Sequence, residues 1–220
     1  MLCVVTRFLL CVLACVRLGA VDSTVKIDNA AVRVLSVTYQ PHDKSILHSH
    51  AGNRVVIVLD DGRLVTTYED GRKEDQPWQA GEARWVPAGP KHVAENMGSK
   101  RIRIIEVEMK KAGPANPAAR SAKLDPVEID PMHNEFLFEN DQVRVFRSWR
   151  EVGGKEKMHE HVGKGRVAVL LTDIDARVES DGATTPLHGS AGDVLWSGPA
   201  EHAATNTGLA KFDMIIVEVK

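Results

Sequence analysis

The apolar positions of this chain fall in short runs separated by turn residues. Val55-Val56-Ile57-Val58-Leu59 is rich in β-branched residues and is closed by Asp60-Asp61-Gly62. Such a run predicts a strand, and Asp61-Gly62 predicts a hairpin turn after it. Arg101-Ile102-Arg103-Ile104 alternates polar and apolar, the pattern of a strand with one buried face. Tyr68-Glu69-Asp70-Gly71 predicts another turn. Many short strands punctuated by Gly, Asp and Pro point to an all-β sandwich or barrel. No long amphipathic helix is evident; the stretch 111–126 is the one place for a short helix.

The pattern occurs twice. Val32-Arg33-Val34 recurs 111 residues later as Val143-Arg144-Val145, and at the same offset Asn29, Lys44, His48 and His50 map to Asn140, Lys155, His159 and His161. After one inserted residue Arg54 maps to Arg166; Trp85 maps to Trp196; after one lost residue His92, Asn96 and Gly98 map to His202, Asn206 and Gly208. Matches that keep their order with single-residue slips mark a duplication. Between the copies, 111–126 holds three prolines and many small residues, the composition of a linker. The expected organisation is a signal segment at 1–20, one barrel at 21–110, the linker at 111–126 and a second barrel at 127–220. Each barrel is then about 90 residues, an ordinary size for a small domain. The two copies are expected to pair within one chain, and association between chains stays open.

Composition narrows the function classes. A hydrophobic content of 43% supports a packed core, and with aromatics at 5% that core must be filled by Val, Ile and Leu. A formal net charge of −2 offers no basic surface for nucleic acid or an anionic membrane. Arg7, the apolar run from Phe8 to Val16 and Leu18-Gly19-Ala20 before Val21 read as an export signal, which predicts a secreted or periplasmic protein. The run is too short for a comfortable membrane span, so no integral span is expected after signal removal. Cys3, Cys11 and Cys15, all the cysteines of the chain, lie inside that signal. A second processing route, a lipid on Cys15 within Val12-Leu13-Ala14-Cys15, stays open.

The candidate chemistry lies in histidines. His48-Ser49-His50 and His159-Glu160-His161 are HxH pairs, and on a strand residues i and i+2 share a face. His92 and His202 add a third imidazole to each copy, giving three nitrogens for one divalent transition metal. His42, His133 and His188 have no counterpart in the other copy and read as surface residues. Trp85 and Trp196 read as barrel packing or as the wall of a ligand pocket. Asn96 and Asn206 read as turn residues that satisfy backbone groups.

Residues 81–96 carry a resemblance. Gly81, Pro87, Gly89, His92 and Asn96 fit the second cupin motif, G(x)5PxG(x)2H(x)3N, at every defined position, and His48-Ser49-His50 resembles the start of the first motif. The second copy keeps Gly192, His202 and Asn206 but loses one residue around Gly198-Pro199. The chain thus resembles a secreted two-domain cupin of three-histidine type. That resemblance implies two tandem jelly-roll (double-stranded β-helix) barrels with the histidines inside.

It also exposes a departure. The first motif ordinarily carries a glutamate ligand after HxH, and here that place falls on Arg54 or Val55 in copy one and Arg166 in copy two. Strand alternation points Glu160 away from the histidines. Three neutral imidazoles leave a divalent ion its full charge, and an inward Arg54 or Arg166 raises the local charge to about +3. Such a site favours a small anionic partner, with a guanidinium gripping a carboxylate or enolate by two hydrogen bonds. The resemblance implies iron first among zinc, manganese, nickel and copper, and chemistry like that of thiol or β-diketone-cleaving dioxygenases. On that reading Arg54 is the catalytic cation, and Arg54, Arg166, Trp85 and Trp196 bind substrate. A non-catalytic anion-binding or scaffold barrel is the alternative from another class.

Overall fold

A computed structural model describes residues 21–110 and 123–220; the expected signal and residues 111–122 of the linker lie outside the described residues. The first copy comprises β1 (Asp22–Asp28), β2 (Val32–Tyr39), β3 (Arg54–Val58), β4 (Gly62–Tyr68), β5 (Lys73–Trp78), β6 (Ala83–Val86), β7 (His92–Asn96) and β8 (Ile102–Met109). A single helical turn, α1 (Pro126–Ile129), leads into the second. That copy comprises β9 (Asn134–Glu139), β10 (Val143–Arg150), β11 (His159–His161), β12 (Gly165–Leu170), β13 (Ile174–Ser180), β14 (Ala183–Gly189), β15 (Val194–Ser197), β16 (Ala200–Asn206) and β17 (Phe212–Val219). The helix starts where Asp125 accepts hydrogen bonds from the Val127 and Glu128 backbone N–H groups, with Pro126 at its first position. No described helix is long and apolar enough to cross a membrane.

Each copy is a jelly roll of two antiparallel sheets. The first pairs a five-stranded sheet, β1-β2-β8-β3-β6, with a three-stranded one, β5-β4-β7. The second pairs β15-β12-β17-β10-β9 with β11-β16-β13-β14. Registers repeat as the duplication requires: Val34 faces Val107, and its counterpart Val145 faces Val217. Asp61-Gly62 is not a hairpin turn. β3 pairs with β8 and β6 while β4 pairs with β5 and β7, so the chain there turns the corner between sheets. The turn at 69–71 does close a hairpin, between β4 and β5.

The apolar runs are buried on both faces. Val55 and Ile57 of β3 join Val107, Val167, Val169 and Val217 in one core that spans both copies. Val56 and Val58 point the other way and pack with Leu64, Trp78 and Ile104 inside the first barrel. The second barrel interior packs around Leu170, Ile174 and Phe212. A strand that faces its own barrel on one side and the other copy on the other needs apolar residues at successive positions. Removing each such side chain from water contributes about 1.5–3 kcal/mol. The five-stranded sheets therefore cement the barrels together, and the histidines sit on the inward faces behind them.

Candidate metal centre

In the first barrel His48, His50 and His92 converge. Their ring centroids lie 4.6 to 5.5 Å apart. His92 opens β7, and His48 bridges to it through the backbone in both directions. Each ring is fixed by an acceptor at Nδ1: His48 donates to the Ile46 carbonyl at 2.8 Å, His50 to Glu108 Oε1 at 2.6 Å, and His92 to the Pro90 carbonyl at 3.2 Å. With Nδ1 carrying the proton, each Nε2 presents a lone pair. His50 Nε2 is buried and has no hydrogen-bond partner. One ligand nitrogen from each ring falls within 4.8 Å of the others. Burial and the neighbouring His48, Arg54 and His50 charges lower the His92 pKa, which keeps that ring neutral.

Arg54 points into the barrel, but it does not stand alone. Its Nε lies 3.3 Å from Glu106 Oε1, both side chains being about nine-tenths buried, and its guanidinium makes no hydrogen bond to a described residue. The carboxylates absent from the first motif come from β8. Glu108 is held low in pKa by its hydrogen bond from His50, against the opposing effect of burial. Glu106 lines the same cavity as Arg54, His48 and His92. A divalent ion, Arg54, Glu106 and Glu108 sum to about +1, so the expected +3 is corrected. With such an ion bound the site would stay cationic, and Glu106 stands beside Arg54.

The second barrel is built differently. His159 Nδ1 donates to the Lys157 carbonyl at 2.9 Å and His161 Nδ1 donates to Glu218 at 2.6 Å. Their Nε2 atoms then face each other at 3.0 Å, a distance that calls for a proton or cation between two lone pairs. His202 departs from the pattern: its Nε2 accepts from Arg166 Nη2 at 3.0 Å, and its Nδ1 is buried without a partner. The residue lost from the turn explains this. β16 begins at Ala200 and pairs with all of β11, whereas β7 begins only at His92. Ala200, two residues before His202, is thus drawn into the ladder opposite His161, while Pro90 stays in a turn whose carbonyl meets His92. Burial, then the charges of His159 and Arg166, pushes the His202 pKa down to about 2. The other terminal nitrogen of Arg166 donates to the Gly198 carbonyl at 3.1 Å. Arg166, expected to grip a substrate, thus gives two of its five N–H groups to the protein.

Each barrel encloses a cavity, of about 380 Å³ in the first and about 330 Å³ in the second. Trp85 lines the first and Trp196 the second, and both also pack on the core between the copies. Asn96 Nδ2 donates to the Gln40 and Lys100 carbonyls and its Oδ1 accepts from Gly98 N–H; Asn206 repeats this with Arg150, Ala210 and Gly208. Both side chains close turns and neither makes a hydrogen bond to a histidine ring. His42 and His188 are exposed, and His133 is half-buried against Asp130, away from either cluster.

The chain matches a family model described as Cupin domain over residues 35–108. Solved two-barrel structures share its fold along most of its length. AerE from Microcystis aeruginosa is 12% identical, covers 91% of this chain and 97% of its own, and superposes with a TM-score of 0.63. The protein Ylba from E. coli is 15% identical, with 91% and 83% covered and a TM-score of 0.61. Oxalate decarboxylase from Bacillus subtilis is 12% identical, with 86% and 68% covered and a TM-score of 0.58. The first copy is matched by the cupin model, and the whole chain has the two-barrel cupin fold. No curated protein matches it significantly in sequence.

Within this fold the donor set of barrel one suits a transition metal. It offers three ring nitrogens, each oriented from behind, one of them buried with nothing to bond. Reasoning from the motifs missed Glu106 and Glu108, and also Tyr39, which lines the same cavity and whose hydroxyl is raised in pKa by burial and by Glu106. The signal was present in Ile105-Glu106-Val107-Glu108-Met109. Two glutamates at i and i+2 share one face of an otherwise apolar strand, and the other face is filled by the core between copies.

Proposed function

We propose that the first barrel holds a divalent transition metal on His48, His50 and His92 and binds a small anionic or enolisable substrate beside it. The convergence of one ring nitrogen from each of three histidines whose Nδ1 atoms are all engaged is the observation that carries this reading. Iron-dependent dioxygenation is the reaction class we assign, because three protein donors would leave a bound iron open to both substrate and dioxygen. The bound metal would supply Lewis acidity and, as iron, the means of activating oxygen. Arg54, which makes no hydrogen bond to a described residue, grips the carboxylate or enolate and stabilises its charge. Glu106 lies beside Arg54 in the same cavity and takes the proton of an enolisable substrate. Trp85 forms part of the wall.

A second reading, anion binding without redox chemistry, is favoured by the close Arg54–Glu106 pair, which resembles a structural ion pair. Elemental analysis and an oxygen electrode separate the two. The dioxygenase reading expects a tightly held transition metal lost in His48→Ala and His92→Ala, and oxygen uptake with small enolisable acids lost in His50→Ala and reduced in Arg54→Ala. Purified protein without transition metal, and with anion affinity unchanged in His48→Ala and His92→Ala, refutes metal-dependent function. We further propose export through residues 1–20; a mature chain beginning at Val21 in mass spectrometry supports it, and a lipid on Cys15 replaces it.

A further inference from the structure

The two cavities occupy equivalent places in equivalent barrels, so their walls can be compared position by position. Strand register fixes the equivalence: Leu64 pairs with Asn96 and Ala176 with Asn206, while Val55 pairs with Trp85 and Val167 with Trp196. In the first barrel Val56 is flanked across the ladder by Arg84 on one side and Glu106 on the other. In the second, Ala168 is flanked by Leu195 and Ile216. One pair of strands further round, Gln76 and Thr66 of the first cavity become Leu187 and Val178 of the second. All of these second-copy positions line the cavity of about 330 Å³. Every polar or charged wall position compared is therefore aliphatic in the second copy. Replacing Val56 by Ala168 also adds room.

The cation at the base of that cavity is partnered by the protein. Arg166 gives one N–H of one terminal nitrogen to Gly198 and one of the other to His202 Nε2, so part of its donor fork is already used by the protein. Buried Glu156 and Glu218 line or flank the same floor and would repel it. Burying an anion there would cost several kcal/mol without compensation.

We propose that the second barrel is a binding site for an uncharged, predominantly apolar small molecule, and that this binding does not depend on a metal. The duplication has thus produced one chamber with polar and charged walls and one with an aliphatic wall above a polar floor, back to back across a shared core. A cavity of this volume is within the range that holds small ligands. This site is independent of the chemistry assigned to the first barrel.

The test compares two probes of one shape in isothermal titration of the full mature chain: p-cresol, which is uncharged, and benzoate, which is charged. The expected result is p-cresol binding with a Kd below about 1 mM, at least tenfold tighter than benzoate at the same site. Treatment with EDTA and the His50→Ala variant change that affinity by less than twofold. Ile216→Glu, which restores the first-barrel residue, weakens p-cresol at least tenfold. Should that variant fold poorly by circular dichroism, Ala168→Leu, which fills the space with apolar volume, produces the same loss. Absence of p-cresol binding, tighter benzoate binding in the second barrel, loss on metal removal, or full binding in Ala168→Leu each overturns the proposal.

Discussion

Glu108 carries the sharpest prediction, because it acts on the metal only through His50. Its Oε1 accepts from His50 Nδ1 at 2.6 Å, and the two side chains are 16% and 7% exposed. The bond does two things. It fixes the tautomer that leaves Nε2 free, and it raises the basicity of that nitrogen by placing negative charge behind the ring. His48 and His92 are held by backbone carbonyls instead, so Glu108→Ala leaves two of the three donors in place. Loss of such a partner costs 10- to 100-fold in metal affinity, about 1.4–2.7 kcal/mol. Glu108→Gln retains an acceptor oxygen without the charge and is expected to lose less. The measurement is zinc affinity by competition with a chelating dye at pH 7.5, on variants shown to fold by circular dichroism. The reasoning is refuted if Glu108→Ala binds within twofold of the parent while His50→Ala loses binding. It is also refuted if Glu108→Ala loses as much as His50→Ala, because the carboxylate would then be acting as a ligand.

The remaining predictions concern the frame. Ile57 is fully buried in the core shared by the copies, so Ile57→Ala should cost about 2–5 kcal/mol in urea unfolding; a loss below 1 kcal/mol would mean the barrels do not stabilise one another there. Hydrogen bonds from Arg103 to Asp60 lower the Asp60 pKa, so this pair contributes above the ordinary carboxylate range near pH 4 and fades as pH falls through the depressed value. Asp60→Asn should therefore be less stable than the parent at pH 7, by about 1 kcal/mol or less for a partly exposed pair. The gap should close below pH 4, and a gap constant from pH 2 to 7 would contradict the assignment. A Cβ on Gly163, where φ is +94°, would meet the Val219 carbonyl at 2.4 Å, whereas one on Gly71 meets nothing within 4 Å. Gly163→Ala should lower the melting temperature well beyond Gly71→Ala, and equal effects would refute the steric account.

Much of this molecule was legible before its coordinates. The duplication, the all-β class and the two histidine triads are local patterns, because strand alternation and motif spacing act over a few residues. His48 and His50 share a face although that segment forms only an isolated bridge, while His159 and His161 lie on β11. The Asp61-Gly62 turn was read in the right place with the wrong consequence, since a two-residue turn signal does not say which sheet the next strand joins. The continuous run at Val55–Val58 signalled a strand, but only the second copy packed behind it explains why neither face is polar.

What the sequence by itself determined is the repeat, the barrel type and the identity of the six imidazoles. Tertiary structure alone decided how those imidazoles are oriented and what each one meets. Glu108 and Glu106 reach His50 and Arg54 from β8, more than fifty residues away, by strand pairing that no local pattern encodes. One residue lost from a turn lengthened β16 and, with His202 no longer held by a turn carbonyl, its Nε2 meets Arg166. The wall of each chamber was likewise set by ladder register, which places Arg84 and Glu106 about Val56 but Leu195 and Ile216 about Ala168. Motif spacing selects the donors; long-range pairing, through burial and charge, sets what surrounds them.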